Sequence, residues 1–578
     1  MNPVLELGDR QSFAGLPENL LIISYLISLA TILIYIRSLI YFDTNPLTFH
    51  IAFVTTLLTL SLLLVGSKRC SVGQLGSALV LAWVLTLGLM IPLRLQEGIV
   101  SNYPDMIYEL QIVRGLINRG SVTYTAPTVF AAGYAFHPVL EVLVVMTSLV
   151  LGIDSEIVLK YAGPFMGVLT IAFLLAFYRS FLSKKASIIS LFLAASCFQF
   201  LSFDPNTVHE SLALPFLFAL VYTLTKRGRP WRAIGTLFAC MVVLTHAFTS
   251  IVVSVLFLAA SAAVFFLSRI LRGTPGHLER LTQKIAVSFA VITCLWLLWF
   301  ASPLTSGQIG SFFKYVIRLL LSEGQTRFPL TGSSTVYLWT RITGDVGIVL
   351  FALTALIGFI LAMRKQYSQY RPILPFAFGA GVIFVVLALP FARVTRSIDL
   401  LLRAFTYVYF FAAPLSYITI TKLASTVRIR FNFRTIAAIL LISLIASAGV
   451  YYNRAVFLYD SSAPMNVEDV RFPLQEWKSA GFFAKIHVSE SADLWGDKIA
   501  FNFVGGFGER EVNFELLPTN QTLTDLVYVD ASRGRIVILR QSMVDVPYYS
   551  TSIQEFGRIL QGNNVLYSSG EVIMIEVT

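Results

Sequence analysis

Long apolar stretches recur along most of this chain. From about residue 17 to about residue 452 the sequence repeatedly runs for roughly 17 to 25 residues with few charges, the length that a helix needs to cross a hydrocarbon layer of ~30 Å. Helices satisfy their own backbone polar groups, as lipid requires. The composition agrees, since 56% of the 578 residues are hydrophobic and 13% are charged. The sequence therefore predicts an α-helical polytopic membrane protein.

The spacing of these stretches predicts about thirteen transmembrane helices. They are expected near residues 17–38, 48–66, 75–94, 158–180, 186–203, 211–225, 232–248, 250–269, 283–303, 345–363, 372–391, 404–421 and 435–452. The apolar segment 137–153 is a further candidate, but counting it as a span would move the following basic loops to the other side. We therefore predict that this segment lies along the membrane or re-enters it.

Basic residues concentrate in alternate loops. Because cytoplasmic loops retain Lys and Arg, the pattern places the N-terminus in the cytoplasm. The loops predicted to be cytoplasmic carry Lys68 and Arg69; Lys184 and Lys185; Lys226, Arg227, Arg229 and Arg232; Arg269, Arg272, Arg280 and Lys284; Arg364, Lys365 and Arg371; and Lys422, Arg428, Arg430 and Arg434. These loops explain the formal net charge of +11, so we expect membrane lipids as partners and no nucleic acid.

After about residue 453 the composition changes to that of a small soluble domain. Helical and strand patterns alternate there, at Leu474–His487, Ala492–Asp497, Arg535–Leu539 and Val572–Ile575, which predicts an α/β domain on the extracytoplasmic side. The predicted domains are an N-terminal transmembrane extension (1–74), a main transmembrane domain (75–452) and the extracytoplasmic α/β domain (453–578).

The first large outer loop contains Asp105, Glu109 and His137, the last followed by Pro138. Asp105 comes just after a predicted span, where a carboxylate can accept a proton from a hydroxyl at the level of the lipid headgroups. We therefore consider Asp105 and Glu109 as catalytic candidates, with His137 as a further one. The alternative is that Asp105 caps the helical pattern that follows it.

A second outer turn brings Asp204, His209 and Glu210 within seven residues of each other. Carboxylates at this spacing can bind a divalent cation such as Mg²⁺ or Mn²⁺ through oxygen ligands, or they can hold an acceptor molecule. The alternative is again a helix cap, because Asp204 precedes Pro205. A divalent cation is thus an open possibility at this turn.

A third outer loop carries Arg393, Arg396 and Arg403, against the tendency of basic residues to stay inside. A phosphate group on a ligand would explain them, since Arg binds phosphate oxygens bidentately. The alternatives are contact with lipid headgroups and pairing of Arg396 or Arg403 with Asp399. Further outer candidates are His246, Glu323 and Arg327.

Motifs for soluble nucleotide chemistry are missing from the sequence. It contains no P-loop and no GxGxxG, HExxH or GxSxG motif, so no nucleotide cofactor is expected. The four cysteines lie in or beside membrane segments, and the α/β domain is therefore predicted to fold without disulfides.

The order of these features resembles the GT-C superfamily of integral-membrane glycosyltransferases. A membrane helix is followed by an outer loop with Asp105 and Tyr108, a helix ending near Gly120, a His137–Pro138 pair before an apolar helix, and a second acidic turn. The resemblance covers roughly residues 75–422, so it implies that 75–452 is a GT-C-like catalytic domain. It further implies that Asp105 is catalytic, that Asp204 and Glu210 form a metal or acceptor site, and that Arg403 holds the donor phosphate.

The resemblance implies a glycosyltransferase of the cell membrane. The expected reaction moves a sugar from a polyprenyl-phosphate-linked donor to a glycan, lipid or protein acceptor on the outer face. An oligosaccharyltransferase acting on protein is an alternative, although only Leu494-Trp-Gly-Asp497 stands where such enzymes carry a WWDYG-type motif. A lipid-linked-glycan flippase or transporter is another alternative. An enzyme is favoured, because the acidic residues are predicted to lie at one surface of the membrane and the sequence contains no internal repeat.

Overall fold

A computed structural model of the chain describes a set of residues that covers most of the predicted membrane helices and part of the C-terminal region. The described residues are 18–41, 46–66, 78–85, 105–120, 137–197, 200, 209–270, 277–301, 335–388, 399–426, 431–451, 474–489, 491–492, 494–496, 504, 512–514, 536–540, 560–561, 564–568 and 572–576.

The chain divides into two compact units. The first comprises Met1–Leu93, Tyr161–Gln325 and Pro329–Ala463, and the second comprises Arg94–Lys160, Thr326–Phe328 and Pro464–Thr578. Within the described residues the first unit is helical, whereas the second contains helices and a β-sheet. The predicted domain boundaries at residues 74 and 452 stay predictions.

The described helices follow the apolar stretches of the sequence. In chain order they are α1 (Glu18–Tyr41), α2 (Pro46–Gly66), α3 (Asp105–Arg119), α4 (Val139–Leu151), α5 (Ser155–Arg179), α6 (Lys184–Ala195), α7 (His209–Leu224), α8 (Arg229–Thr245), α9 (Ala247–Ile270), α10 (His277–Leu295), α11 (Thr335–Ala362), α12 (Leu374–Val382), α13 (Asp399–Thr426), α14 (Phe431–Tyr451) and α15 (Leu474–His487). Residues 78–85 are also helical. A π-helical turn, Trp296–Phe300, continues α10, and another, Ile383–Ala388, continues α12.

Five described segments are long and apolar enough to cross a membrane. They are Ser155–Arg179, Thr249–Ile270, Thr282–Trp299, Ile342–Ala362 and Arg403–Ala424. Shorter apolar segments lie at Asn19–Ile34, Val54–Val65, Val139–Leu151, His209–Leu224 and Thr435–Ser447. The protein is thus a mostly helical, multi-pass membrane protein, while the predicted number of about thirteen spans stays a prediction.

Helix α13 forms the centre of the first unit. In its span 83% of the residues are buried, against 22% in the span Thr282–Trp299. Aromatic rings pack around it: Phe410 lies 5.0 Å from Phe218, and Phe411 lies 5.3 Å from Phe376 between ring centroids. Edge-to-face and stacked ring contacts of this kind fill the space between the helices. Within a membrane the hydrophobic effect does not drive helices together, so such packing contacts stabilise their association.

Helices α1 and α2 show the polarity expected of chains surrounded by lipid. Their hydroxyl groups point inward, where Ser28 donates to Thr59 and Thr56 donates to Thr31, both at 2.6 Å. Large apolar side chains point outward instead, among them Ile22, at 57% exposed. Apolar groups outside and hydrogen-bonded polar groups inside are stable when the surrounding solvent is hydrocarbon.

Two contacts place several predicted cytoplasmic loops on the same side of the first unit. Lys185, at the start of α6, donates a hydrogen bond of 2.6 Å to the carbonyl oxygen of Val65 at the end of α2. Thr225, just after α7, donates to the hydroxyl of Ser180, just after α5, at 3.0 Å. The ends of α2, α5 and α7 therefore lie together, as alternating basic loops require; which side is cytoplasmic stays a prediction.

Helix α4 of the second unit has 13 residues, a length of about 20 Å, which is too short to cross a hydrocarbon layer of ~30 Å. It ends at Gly152, whose φ of 66° is the left-handed conformation that favours glycine. Its buried residues include Glu141 and Ser148, while Met146 and Val150 are 57% and 79% exposed. An exposed apolar face on so short a helix agrees with the prediction that segment 137–153 lies along the membrane.

The C-terminal part of the second unit contains a mixed five-stranded sheet. Its strands are β1 (Leu494–Gly496), β2 (Val512–Phe514), β3 (Ile536–Arg540), β4 (Asn564–Ser568) and β5 (Val572–Glu576), in the order β2-β1-β3-β5-β4. Strand β1 is parallel to β2 and β3, whereas β5 is antiparallel to both β3 and β4. Ala480 and Ala484 of α15 pack in one core with Ile538 and Met574. Helix α15 has the bounds of the pattern at Leu474–His487, and β1, β3 and β5 overlap the patterns at Ala492–Asp497, Arg535–Leu539 and Val572–Ile575. The extracytoplasmic α/β domain as a whole stays a prediction.

Candidate functional site

A largely buried ion pair joins the beginnings of two membrane helices. Arg403 Nη1 lies 3.0 Å from Glu210 Oε2, and the two side chains are 25% and 10% exposed. Charges removed from water in this way are stable only when they are paired. The pair therefore fixes the start of α7 against the start of α13.

Local sequence explains why both residues are helical. Glu210 is the second residue of α7, where a negative side chain interacts favourably with the positive end of the helix dipole. Helix α13 begins at Asp399, and the three leucines that follow in the sequence continue it to Arg403. Arg403 thus lies within a helix instead of in the predicted outer loop.

Tyr407 lies one helical turn beyond Arg403, on the same face of α13. Its side chain is buried, at 2% exposed. It is close enough to Glu210 and Arg403 to interact electrostatically with both, and it is hydrogen-bonded to the side chain of Thr249. A buried tyrosine hydroxyl normally has a hydrogen-bonding partner, and Thr249 supplies it here.

Thr249 connects this group to His246. The hydroxyl of Thr249 lies 2.7 Å from His246 Nδ1, and its backbone N–H donates to the same nitrogen at 3.3 Å. A nitrogen that accepts an amide hydrogen carries no proton itself, so neutral His246 has its proton on Nε2. His246 sits in extended conformation between α8 and α9, with φ −155° and ψ 118°. This break in the helices directs Nδ1 towards Thr249.

We call the five residues Glu210, Arg403, Tyr407, Thr249 and His246 the polar cluster. All belong to the first unit, and three of them were predicted from the sequence as outer candidates. Sequence reasoning missed Thr249 and Tyr407, because a threonine and a tyrosine in apolar helices are ordinary membrane residues. The only signals are their spacings in the sequence. Tyr407 comes four residues after Arg403, on the same helix face, and Thr249 comes three residues after His246, which directly precedes α9.

The polar cluster lies at the end of the helices opposite the predicted cytoplasmic loops. Glu210 is the second residue of α7, and Thr225, which contacts Ser180, follows the last residue of this helix, Leu224. The 14 helical steps from Glu210 to Leu224 correspond to about 21 Å along the axis. The geometry therefore places Glu210, His246 and Arg403 at the same end of the helices; that this end is the outer one stays a prediction.

The first-loop candidates belong to the second unit. Asp105 is the first residue of α3, and Glu109 is buried one turn later. His137 is buried just before α4. Glu141 of α4, which the sequence reasoning did not consider, is a further buried carboxyl group.

The remaining predicted site residues are distributed as follows. His209 is buried at the start of α7, next to Glu210 in sequence. Outside the described residues lie Asp204, Glu323, Arg327, Arg393 and Arg396. Among the described residues, no three His, Cys, Asp or Glu side chains are grouped so as to hold a metal ion. Glu210 is engaged with a guanidinium group, so it does not present a cation site in this arrangement, and the divalent cation stays a prediction.

Chemically, the polar cluster offers one cation and one anion in a largely apolar setting. The guanidinium of Arg403 has five N–H donors arranged for planar oxyanions such as carboxylate and phosphate. Because its side chain is still 25% exposed, a ligand can approach it. Such a site suits an anionic headgroup whose apolar tail lies between membrane helices.

No protein-family model and no curated protein sequence matches the chain. The structure is similar to that of an apo oligosaccharyltransferase from Archaeoglobus fulgidus, with 13% identity and a TM-score of 0.48, over 87% of this chain and 74% of that one. It is also similar to apo ArnT from Cupriavidus metallidurans, with 12% identity and a TM-score of 0.48, over 88% and 99% of the two chains. A third similar structure is the arabinofuranosyltransferase AftD from Mycobacteria, with 12% identity and a TM-score of 0.46, over 87% and 41%.

These structural neighbours are GT-C membrane glycosyltransferases, the class that the sequence resembles. At TM-scores below 0.5 the likeness does not extend to the position of any individual residue. The roles of single side chains in this chain therefore depend on its own geometry.

Proposed function

We propose that this protein is a membrane glycosyltransferase that moves a sugar from a polyprenyl-phosphate-linked donor to a glycan, lipid or protein acceptor on the outer face of the membrane. The observation that carries the proposal is the partly exposed Arg403, held by Glu210 at one end of the membrane helices. A fixed cation at the end of a membrane helix is matched to the phosphate of a lipid.

The phosphate would bind to the guanidinium of Arg403. Arginine keeps its charge at a membrane interface and forms two parallel hydrogen bonds to phosphate oxygens. The start of α13 adds the positive end of a helix dipole four residues away, at Asp399. The apolar surfaces of the helices below would surround the polyprenyl tail.

In the transfer step, the oxygen of the acceptor hydroxyl forms a bond to the anomeric carbon of the sugar. The bond between that carbon and the phosphate oxygen breaks, and the polyprenyl phosphate leaves with the bonding electrons. The hydroxyl proton goes to the Asp105 carboxylate, the general base that the resemblance implies. Attack opposite the leaving group inverts the configuration at the anomeric carbon.

The test is incubation of the purified full chain with a panel of radiolabelled polyprenyl-phosphate sugars, with and without Mg²⁺ or Mn²⁺, in lipid nanodiscs. Cleavage of one donor by the wild type is expected, together with losses of about 100-fold or more in Asp105→Asn and Arg403→Gln. The matched control is Arg179→Gln. Arg179 is exposed at the C-terminal end of α5, next to a loop that we predict to be cytoplasmic.

The results separate the proposal from its alternatives. A flippase would bind or move a donor and leave its glycosidic phosphate bond intact in every variant. Full activity of Asp105→Asn would remove Asp105 from the mechanism, and donor cleavage equal to wild type in Arg403→Gln would remove the phosphate site.

A further inference from the structure

The guanidinium of Arg403 already has an anionic partner. Glu210 Oε2 lies 3.0 Å from Arg403 Nη1, so a phosphate that binds the same group meets a carboxylate in its place. Two anions at one guanidinium repel each other strongly in a poorly hydrated site. A phosphate that binds at the Nη1 edge of Arg403 therefore has to displace Glu210.

A second partner for Glu210 lies nearby. Tyr407 is buried within electrostatic reach of both Glu210 and Arg403, and Thr249 is hydrogen-bonded to it. Thr249 is itself tied to His246 at 2.7 Å. The Tyr407 side chain is thus anchored by Thr249, one helical turn beyond Arg403 on the same face of α13. Because Thr249 donates its one hydroxyl proton to His246 Nδ1, Tyr407 donates its own proton to Thr249. When the carboxylate leaves Arg403, the Tyr407 hydroxyl turns from Thr249 to donate to it, which avoids the cost of a bare buried charge.

We propose that Glu210 is an exchangeable counter-ion: the phosphate of the lipid donor displaces its carboxylate from Arg403, and the displaced carboxylate is received by the hydroxyl of Tyr407. This inference rests on the proposed function, in which Arg403 binds the donor phosphate. No covalent bond changes in this step. Its effect is that Arg403 is never unpaired in either state, and that Glu210 changes position only when an anionic donor is present.

The exchange has a thermodynamic signature. The resident ion pair lowers the affinity for phosphate, because part of the binding free energy is used to separate it. Replacing Glu210 with neutral glutamine removes this competition, so Glu210→Gln should bind a polyprenyl phosphate about tenfold more tightly than the wild type. If Glu210 only held Arg403 in position, Glu210→Gln would bind the polyprenyl phosphate more weakly than the wild type, because the Arg403 side chain would no longer be held in place.

Substitution of Tyr407 tests the exchange independently, again through the affinity for the polyprenyl phosphate. In Tyr407→Phe the displaced carboxylate loses its acceptor site, so the affinity should fall about tenfold. In the double variant Glu210→Gln/Tyr407→Phe there is no carboxylate to receive, so the affinity should equal that of Glu210→Gln. This non-additivity is specific to residues that act on one another.

The experiment measures equilibrium binding of undecaprenyl phosphate to the full chain in nanodiscs, for the wild type, these three variants and Arg403→Gln. The uncharged polyprenol with the same tail is the control ligand, and its affinity should be equal in all five proteins. If Arg403→Gln binds the phosphate as well as the wild type, the proposed phosphate site itself fails. If Arg403→Gln binds weakly and Glu210→Gln also binds weakly, the phosphate site stands and the exchange is wrong.

A measurement on the wild type avoids any loss of folding in the variants. Infrared difference spectra of protein with isotope-labelled glutamate should show a shifted carboxylate band when undecaprenyl phosphate is added and none when polyprenol is added. Absence of a band with the phosphate, at saturating ligand, would overturn the exchange.

Discussion

Gly358 of α11 packs directly against the backbone of Leu415 in α13. A Cβ at Gly358 would collide with the carbonyl oxygen of Leu415, which cannot move as a side chain can. Beside this contact, Thr354 and Ser416 share a hydrogen bond of 2.7 Å, and Thr419 donates to the Thr354 carbonyl oxygen at 2.6 Å. The close approach of the two backbones is what permits these bonds.

The first prediction therefore concerns Gly358→Ala. The added methyl group must push α11 away from α13, which weakens the neighbouring hydrogen bonds and should destabilise the protein by about 3 kcal/mol or more. Thermal unfolding in detergent measures this as a lower Tm. Gly381→Ala in α12 is the control, because a Cβ there meets nothing within 4 Å. An equal Tm in both variants would contradict the close approach.

The second prediction separates the charge of Arg403 from its shape. Lysine keeps the positive charge but cannot form two parallel bonds to a phosphate or carboxylate. Arg403→Lys should therefore raise the KM for the lipid donor about tenfold and change kcat less. Steady-state kinetics with varied donor tests this, with Arg179→Lys as the control. A normal KM would mean that a point charge is sufficient at this position.

The third prediction concerns the link between Tyr407 and His246. Thr249→Val keeps the shape of the side chain but removes the hydroxyl that lies 2.7 Å from His246 Nδ1. We expect about a tenfold loss of sugar transfer and a loss of stability of about 1 kcal/mol. Thr421→Val is the matched control, because the Thr421 hydroxyl donates only within its own helix, to Tyr417 and Ile418. Equal activity in the two valine variants would remove Thr249 from the site.

The sequence predicted a mostly helical membrane protein because the signal of a membrane helix is local. An apolar stretch is visible without knowledge of its neighbours, and the helix Leu474–His487 was predicted with the bounds that the structure has. The partners of charged residues are not local. Arg403 was expected to pair with Asp399 if it paired within the protein, yet it pairs with Glu210, which only the packing of α7 against α13 brings near.

The same reasoning explains what the sequence missed in the site. Tyr407 and Thr249 matter because of what lies opposite them, and neither residue type is unusual in a membrane helix. Asp105 and Glu109 could be chosen as candidates because a carboxylate beside a membrane span is costly and rare, and their roles stay predictions.

The last prediction concerns orientation across the membrane. The contact between Thr225 and Ser180 joins two loops that we predict to be cytoplasmic, and the exposed Asp154, between α4 and α5, is predicted to be outside. In a background without the four native cysteines, a cysteine at Asp154 should react with a membrane-impermeant maleimide in right-side-out vesicles. A cysteine at Ser180 should react only after permeabilisation, because α5 has 25 residues and separates the two positions by roughly the thickness of the hydrocarbon layer. The reverse pattern would place the polar cluster on the cytoplasmic side, where the predicted donor and acceptor could not reach it.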